Sequence, residues 1–132
     1  MRAINPVKLA APLGGYSHAL VAPEGARLMF VSGQIPERPD GTVPDTFEAQ
    51  CHTVWDNIAA ILEAANATFS DVVKITTFLA RREDADANGA IRRRYLGTHA
   101  PALTVIIAKI YDPLWLLEIE AIAVIPSNLD SA

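Results

Sequence analysis

The chain has 132 residues, 51% hydrophobic and 20% charged, with a formal net charge of −4. That length fits one domain, spanning residues 1–132, with one buried core, and the negative balance provides no global field to draw in nucleic acid or an anionic membrane. Its apolar runs fall far short of the ~20 residues of a membrane span, residues 1–15 lack the apolar segment of a signal peptide, and the single cysteine excludes an intrachain disulfide and fits a reducing compartment.

A cytoplasmic protein is therefore expected. The high apolar fraction favours self-association, because spare apolar area tends to be buried between subunits. Residues 18–22 and 28–32 are short apolar segments separated by Pro23-Glu24-Gly25, a pattern that predicts a β-hairpin. Gly14-Gly15 before them marks a turn or a close backbone approach. A turn-rich loop follows through Pro39-Asp40-Gly41. Over residues 46–65 the side chains of Phe47, Cys51, Val54, Ile58, Ile61, Leu62 and Ala65 form one stripe at helical spacing. Asp45 with Glu48 suits the start of that helix as a capping pair, and Asn66 suits its end.

Residues 71–80 are β-branched and apolar on both faces, as a central strand requires. Residues 84–96 predict a second helix with Ala87, Ile91 and Tyr95 inward, three arginines partly outside, and Gly97 as terminator. Residues 103–110 and 116–125 are the last two strands. The order β-β-α-β-α-β-β, with an additional short strand at the N-terminus as an option, makes the fold α+β: a mixed sheet with both helices on one face. In the last strand Glu118 and Glu120 share a face, about 6.5–7 Å apart, and Leu117, Ile119, Ala121 and Ala123 take the other.

Familiar catalytic devices are missing. Cys51 lies on the buried stripe and His52 points about 100° away from it, so the two make no dyad. His18, His52 and His99 lack metal-ligand spacing, which argues for no metal. No phosphate-cradling glycine loop or dinucleotide fingerprint occurs. Ser17 and Ser32 are possible hydrogen-bonding groups without a triad.

Taken together, Gly14-Gly15-Tyr16-Ser17-His18-Ala19, Ser32-Gly33-Gln34-Ile35-Pro36, Asp71-Val72-Val73-Lys74, Asn88, Pro101-Ala102 and Glu118-Ile119-Glu120-Ala121-Ile122-Ala123 resemble the Rid/YjgF family, also called "endoribonuclease L-PSP". The resemblance runs from about residue 12 to 125. It implies a chorismate-mutase-like α+β fold, a homotrimer with ligand clefts between subunits, and hydrolysis of enamines and imines to ketones and ammonia without a cofactor. Carried over by motif, Tyr16, Ser32 and Asn88 line the cleft and Glu118 positions the attacking water. The family's carboxylate-gripping arginine is absent. The motif Pro-Ala-Arg-Ser/Thr reads Pro101-Ala102-Leu103-Thr104 here, and a cysteine common two positions later is Val105.

Leucine has no donor to replace the bidentate guanidinium fork. Losing such a pair removes about 1.5–3 kcal/mol, one to two powers of ten in affinity for a carboxylate. Lys109 is six residues from Leu103, about 20 Å along a strand, and cannot substitute within one subunit. Arg27 and Arg92 to Arg94 are left as cations to reach the cleft across an interface. With Leu103 and Val105 the cleft becomes more apolar, which suits an imine or enamine other than a small 2-imino acid. Glu118 in such surroundings suits proton transfer with water. A salt bridge to a helix arginine is its structural alternative, structural pairing is the expected role of Glu120, and capping the sheet edge is the alternative for Tyr16. Two other functions stand beside the hydrolase: a non-catalytic trimer that binds a small ligand, and an RNA-directed role. The negative charge and the lack of an aromatic platform argue against the latter.

Overall fold

The computed structural model describes residues 1–125. Strands β1 (Arg2–Ile4), β2 (Ala19–Val21) and β3 (Arg27–Gln34) precede helix α1 (Phe47–Ala64) and strand β4 (Val72–Leu79). Helix α2 (Ala85–Leu96) and strands β5 (Ala102–Ile107) and β6 (Leu117–Ile125) follow, with short 3-10 turns ahead of β4 and α2. The main sheet has the order β3-β6-β4-β5. β6 is antiparallel to both of its neighbours, and β4 and β5 run parallel, joined through α2. Both helices bury their apolar faces in one core against one side of this sheet, which is the α+β arrangement expected.

β6 follows the period of two along its length. Leu117, Ile119, Ala121 and Ala123 are buried on the helix side, and Glu118 and Glu120 lie on the other, open side. β4 contributes Val72, Ile75 and Leu79 to the same core, and α1 contributes Cys51, Val54, Ile58 and Leu62. Trp55, outside the predicted stripe, is fully buried and stacks on Tyr95 with ring centroids 5.6 Å apart. A tryptophan is wide enough to reach the core from the flank of the stripe. Gln50 is also buried, and its amide is fully used. Nε2 donates to the carbonyls of Pro44 (2.9 Å) and Leu114 (3.0 Å), and Oε1 accepts from the Leu116 N–H (2.8 Å), so α1 is pinned to the loop that feeds β6.

The expected hairpin is not formed. β2 pairs with β1 in a separate two-stranded ribbon, and β3 pairs with β6. The turn is present, with the Ala26 N–H donating to the Pro23 carbonyl. β2 has only three residues, however, and its burial is slight. β3, with eight residues, gains a longer ladder and core contact for Met29 and Val31 by joining β6. The N-terminal strand held open as an option is β1.

Helix limits shift by a residue or two. The N-cap of α1 is Thr46, extended at φ −100° and ψ 154°, and its hydroxyl accepts from the Ala49 N–H. Asp45 lies one residue too early to do this. Asn66 adopts φ 55° just past the helix, as its place there suggested. Asp71 belongs to the 3-10 turn, where its carboxylate accepts from the Thr68 N–H, so β4 begins at Val72. β5 ends at Ile107: the Ala108 N–H makes a last bond to the Leu79 carbonyl, and Asp112 then organises a turn by accepting from the Leu114 N–H.

The open face carries exposed Leu28, Phe30 and Ile106 among Lys74, Thr76, Thr104 and the two glutamates. Among the described residues no helix is long and apolar enough to cross a membrane.

Cys51 is fully buried, and burial pushes its thiol from 9.0 up to about 12. Thiolate forms more readily in the unfolded chain, so this group favours the folded state less as pH rises from 9 toward 12. At pH 8 an alkylating reagent should modify native protein at least about a hundredfold more slowly than protein unfolded in guanidinium. Equal rates, followed by mass spectrometry, would mean that α1 opens freely.

Candidate functional site

The sheet separates the sequence-predicted residues into two groups. Glu118 and Ser32 belong to the open face, and Asn88, Leu103 and Val105 belong to the helix side. In register, Glu118 lies opposite Phe78 of β4, which itself lies opposite Ile106 of β5. On its other flank is the bulge in β3 between Val31 and Gln34.

Gly33 sits in that bulge and explains how Glu118 is held. A methyl group added at Gly33 would overlap the Glu118 carboxylate and stand 2.8 Å from its carboxyl carbon. Any other residue would displace the acid, and a bulge is where a strand can re-aim its backbone in this way. Glu118 is half-buried between that glycine and Phe78, on the face turned away from both helices, and makes no ion pair among the described residues. The alternative of a bridge to a helix arginine within the chain is excluded by that geometry. Glu120 is exposed opposite Thr76 and also lacks an ion pair among the described residues, so the structural pairing expected for it is absent. Ser32 is exposed, and its carbonyl accepts from Gln34 Nε2 at 3.0 Å.

On the helix side, a cavity of about 400 Å³ opens between α2 and the edge strand β5. Asp86, Asn88, Gly89, Arg92 and Arg93 line it from α2, and Val105 lines it from β5. Leu103, two residues before Val105, faces the same way but packs half-buried against the core and does not line the cavity. Its register partner Ile75 is buried at 1% exposure, which accounts for this. Tyr16 follows the Gly14-Gly15 turn and lies half-buried against His18, with ring centroids 5.9 Å apart. The next residue, Ser17, forms a parallel bridge with Ala102 and donates its hydroxyl to the Ala100 carbonyl at 2.6 Å. The Tyr16 segment thus lies along the outer edge of β5.

Arg92 is the residue the sequence reading misplaced. Its run with Arg93 and Arg94 predicts a partly outward position, yet it is 6% exposed. It follows Asn88 by four residues and so shares its face of α2. Its guanidinium turns toward the side-chain-free Gly14-Gly15 turn, where Nη2 donates to the Gly14 carbonyl at 2.7 Å. The two glycines take φ of 101° and 79°, a backbone that only glycine adopts without strain. The other cations considered are elsewhere. Arg27 opens β3 opposite Ile125, at the far end of β6 from Glu118. Arg94 is exposed. Lys109 lies beyond the end of β5, in a separate depression beside Trp115. The signal for Arg92 in the sequence was its i+4 spacing from Asn88, together with the glycine pair able to receive it.

Among the described residues no group of three or more His, Cys, Asp or Glu side chains is placed to hold a metal ion. His52 and Tyr95 meet through Nδ1 and the hydroxyl at 2.9 Å, and that hydroxyl donates to Asp56 at 3.0 Å. This network joins α1 to α2 on the helix side of the sheet, the face opposite Glu118.

The family profile described as Endoribonuclease L-PSP matches residues 7–125. A RutC family protein of Pyrococcus horikoshii is 35% identical over 114 residues, covering 85% of this chain and 88% of that protein. A goat (Capra hircus) protein named 2-iminobutanoate/2-iminopropanoate deaminase is 32% identical over 125 residues, 93% of this chain and 89% of its own. Among solved structures, a Rid-family protein of unknown function from Yersinia pestis superposes with a TM-score of 0.81 at 30% identity, covering 94% of this chain and 98% of that one. With the profile spanning nearly all the described residues and the fold superposing on a Rid structure, the chain belongs to the Rid/YjgF family.

Proposed function

We propose that the protein hydrolyses an imine or enamine to a carbonyl compound and ammonia, with Glu118 positioning and deprotonating the attacking water. An enamine first takes a proton on its β-carbon to become the imine. Water then adds its oxygen to the C=N carbon and gives a proton to Glu118, nitrogen gains protons, and the C–N bond breaks to release ammonia as the carbonyl forms; no cofactor takes part. The observation that carries this reading is the Glu118 carboxylate, kept clear of salt bridges and lodged over Gly33 beside Phe78. A carboxylate that is not neutralised by a cation remains available as a base. The name of the goat relative supports the reaction class.

The reading includes a homotrimer, whose subunits meet through the open face and join Glu118 and Ser32 of one copy to the Tyr16, Asn88 and Val105 edge of another. The exposed Leu28, Phe30 and Ile106 on that face support it. It also includes a substrate other than a small 2-imino acid, because Leu103 places no cation on β5. A trimer that only binds a small ligand is the second reading, favoured by that same missing arginine. The description of the family profile suggests action on RNA, but nothing in the Glu118 surroundings supplies the paired acid and base of a nuclease.

Glu118→Gln keeps size and hydrogen bonding, and should lower ammonia release from a reactive imine by about 10²–10⁴-fold. A purely binding protein would show only a change in affinity. Gly33→Ala should displace the same carboxylate and lower turnover at least about tenfold, while thermal melting moves by a few degrees at most. Unchanged turnover in Gly33→Ala would separate Glu118 from the chemistry. Leu103→Arg should raise hydrolysis of 2-iminopropionate generated in situ, by about tenfold. If the unmodified protein already matches an arginine-bearing relative on that substrate, the role given to Leu103 is wrong.

A further inference from the structure

Arg92 is a buried cation without a counter-ion among the described residues. It is 6% exposed, and no carboxylate pairs with it among the described residues. One of its five donors is used on the Gly14 carbonyl, while Nε is buried with no partner. Asn88, 2% exposed and one helical turn earlier, has its Oδ1 buried and unpartnered as well. Native structures satisfy nearly all such atoms, and an unpaired buried charge is costly. Both residues line the cavity of about 400 Å³ against Val105.

A second guanidinium converges on the same place. A methyl group on Gly89 would lie 3.4 Å from Arg93 Nη1 and 3.8 Å from Arg92 Nη2, and one on Gly14 would lie 3.9 Å from both. Two like charges thus flank a floor made by two glycines, one of which needs its bare Cα to let the turn approach. Asp86, exposed at the rim, is the single carboxylate among the lining residues. Burial and the neighbouring Arg93 both lower the Arg92 pKa, as expected for a cation awaiting an anion.

We propose that Arg92, with Asn88 beside it, forms an anion subsite that holds a carboxylate of the substrate set back from the carbon that receives water. This deepens the hydrolase reading and rests on it for the identity of the occupant as substrate. The cation that Leu103 removes from β5 is supplied by α2 instead. Glu118 does not line this cavity within one subunit, and in the proposed trimer it arrives from the neighbouring copy, so a carboxylate drawn to Arg92, buried at 6% exposure, is set back from the carbon that Glu118 serves. The cavity volume falls within the ~300–1,000 Å³ range typical of small-molecule sites, with room for a chain between the carboxylate and the C=N carbon. The substrate class is then an imine or enamine with its carboxylate several bonds from the C=N carbon. Val105 packs on the connecting carbons, and the Asn88 oxygen accepts from an N–H.

The test uses stable ketones in place of the imines: 4-oxopentanoate, pyruvate and 2-pentanone, titrated into the intact protein and followed by NMR or calorimetry. Wild type should bind 4-oxopentanoate about tenfold or more tighter than 2-pentanone, and tighter than pyruvate. Arg92→Gln should abolish the advantage of the acid over the neutral ketone, and Arg92→Lys should restore part of it. A merely structural Arg92 would weaken both ligands together. Should Arg92→Gln fail to fold, Val105→Glu places a negative charge in the cavity from β5, leaves the Gly14 contact intact, and should also erase the preference. The proposal is overturned if wild type binds the acid no better than the neutral ketone, or if the preference survives in the folded variants. Ammonia release from the corresponding imines is scored separately. Preference for the acid without turnover would sink the hydrolase reading and leave the subsite standing; turnover without preference would do the reverse.

Discussion

The alternation of β6 is the constraint on which the rest of the structure depends. It is an inner strand, paired on both sides, and every second side chain from Leu117 to Ala123 must fill the space under α1. A slip of one residue would send Leu117 and Ile119 into solvent and Glu118 and Glu120 into the core. Burying two unpaired carboxylates is far costlier than exposing them. The register is therefore held by the apolar half of the strand, and the position of Glu118 follows from it. The acid is fixed on the open face by residues that never touch it.

Two local irregularities refine this placement. The bulge at Gly33 clears a space beside Glu118 that an ordinary strand residue would occupy. Gly14-Gly15 does the equivalent at the other side of the sheet, letting a turn come close enough to α2 for its carbonyl to accept from Arg92. In both places the backbone approaches a charged side chain, and in both the absence of a Cβ makes the approach possible. The glycines in the motifs that identify the family thus have a mechanical reading as well.

Charge beside the cavity comes from the helix and not from the edge strand. Position 103, on the edge strand, is apolar and packs into the core, so it offers nothing to an acid. The adjacent helix carries two guanidiniums over a cavity walled by Val105. A cation on the helix and none on the strand decides where an anionic group can rest relative to Glu118, and with it the length of molecule that would satisfy both. The hydrolysis proposed for this chain asks for three things: a base, a place for water, and a grip on the substrate.

The sequence by itself determined the helices, the strands and the sidedness of β6, because apolar periodicities of 3.6 and 2 are local properties of a chain. It also determined the family, through short motifs kept in order, and the absence of a cation at Leu103. Strand partners were decided only by tertiary structure. The segments around Pro23-Glu24-Gly25 carry every mark of a hairpin, yet β3 leaves β2 for the longer ladder and deeper burial offered by β6, almost a hundred residues away. The capping role likewise passed from Asp45 to Thr46, since a hydroxyl must be placed within reach of one particular N–H. Arg92 is the clearest case. In a run of three arginines only the i+4 spacing from Asn88 sets it apart from Arg93 and Arg94, and it turns inward because a turn nearly eighty residues earlier presents a bare carbonyl to it. Burial of a charge depends on what lies opposite, and no window of sequence contains both partners.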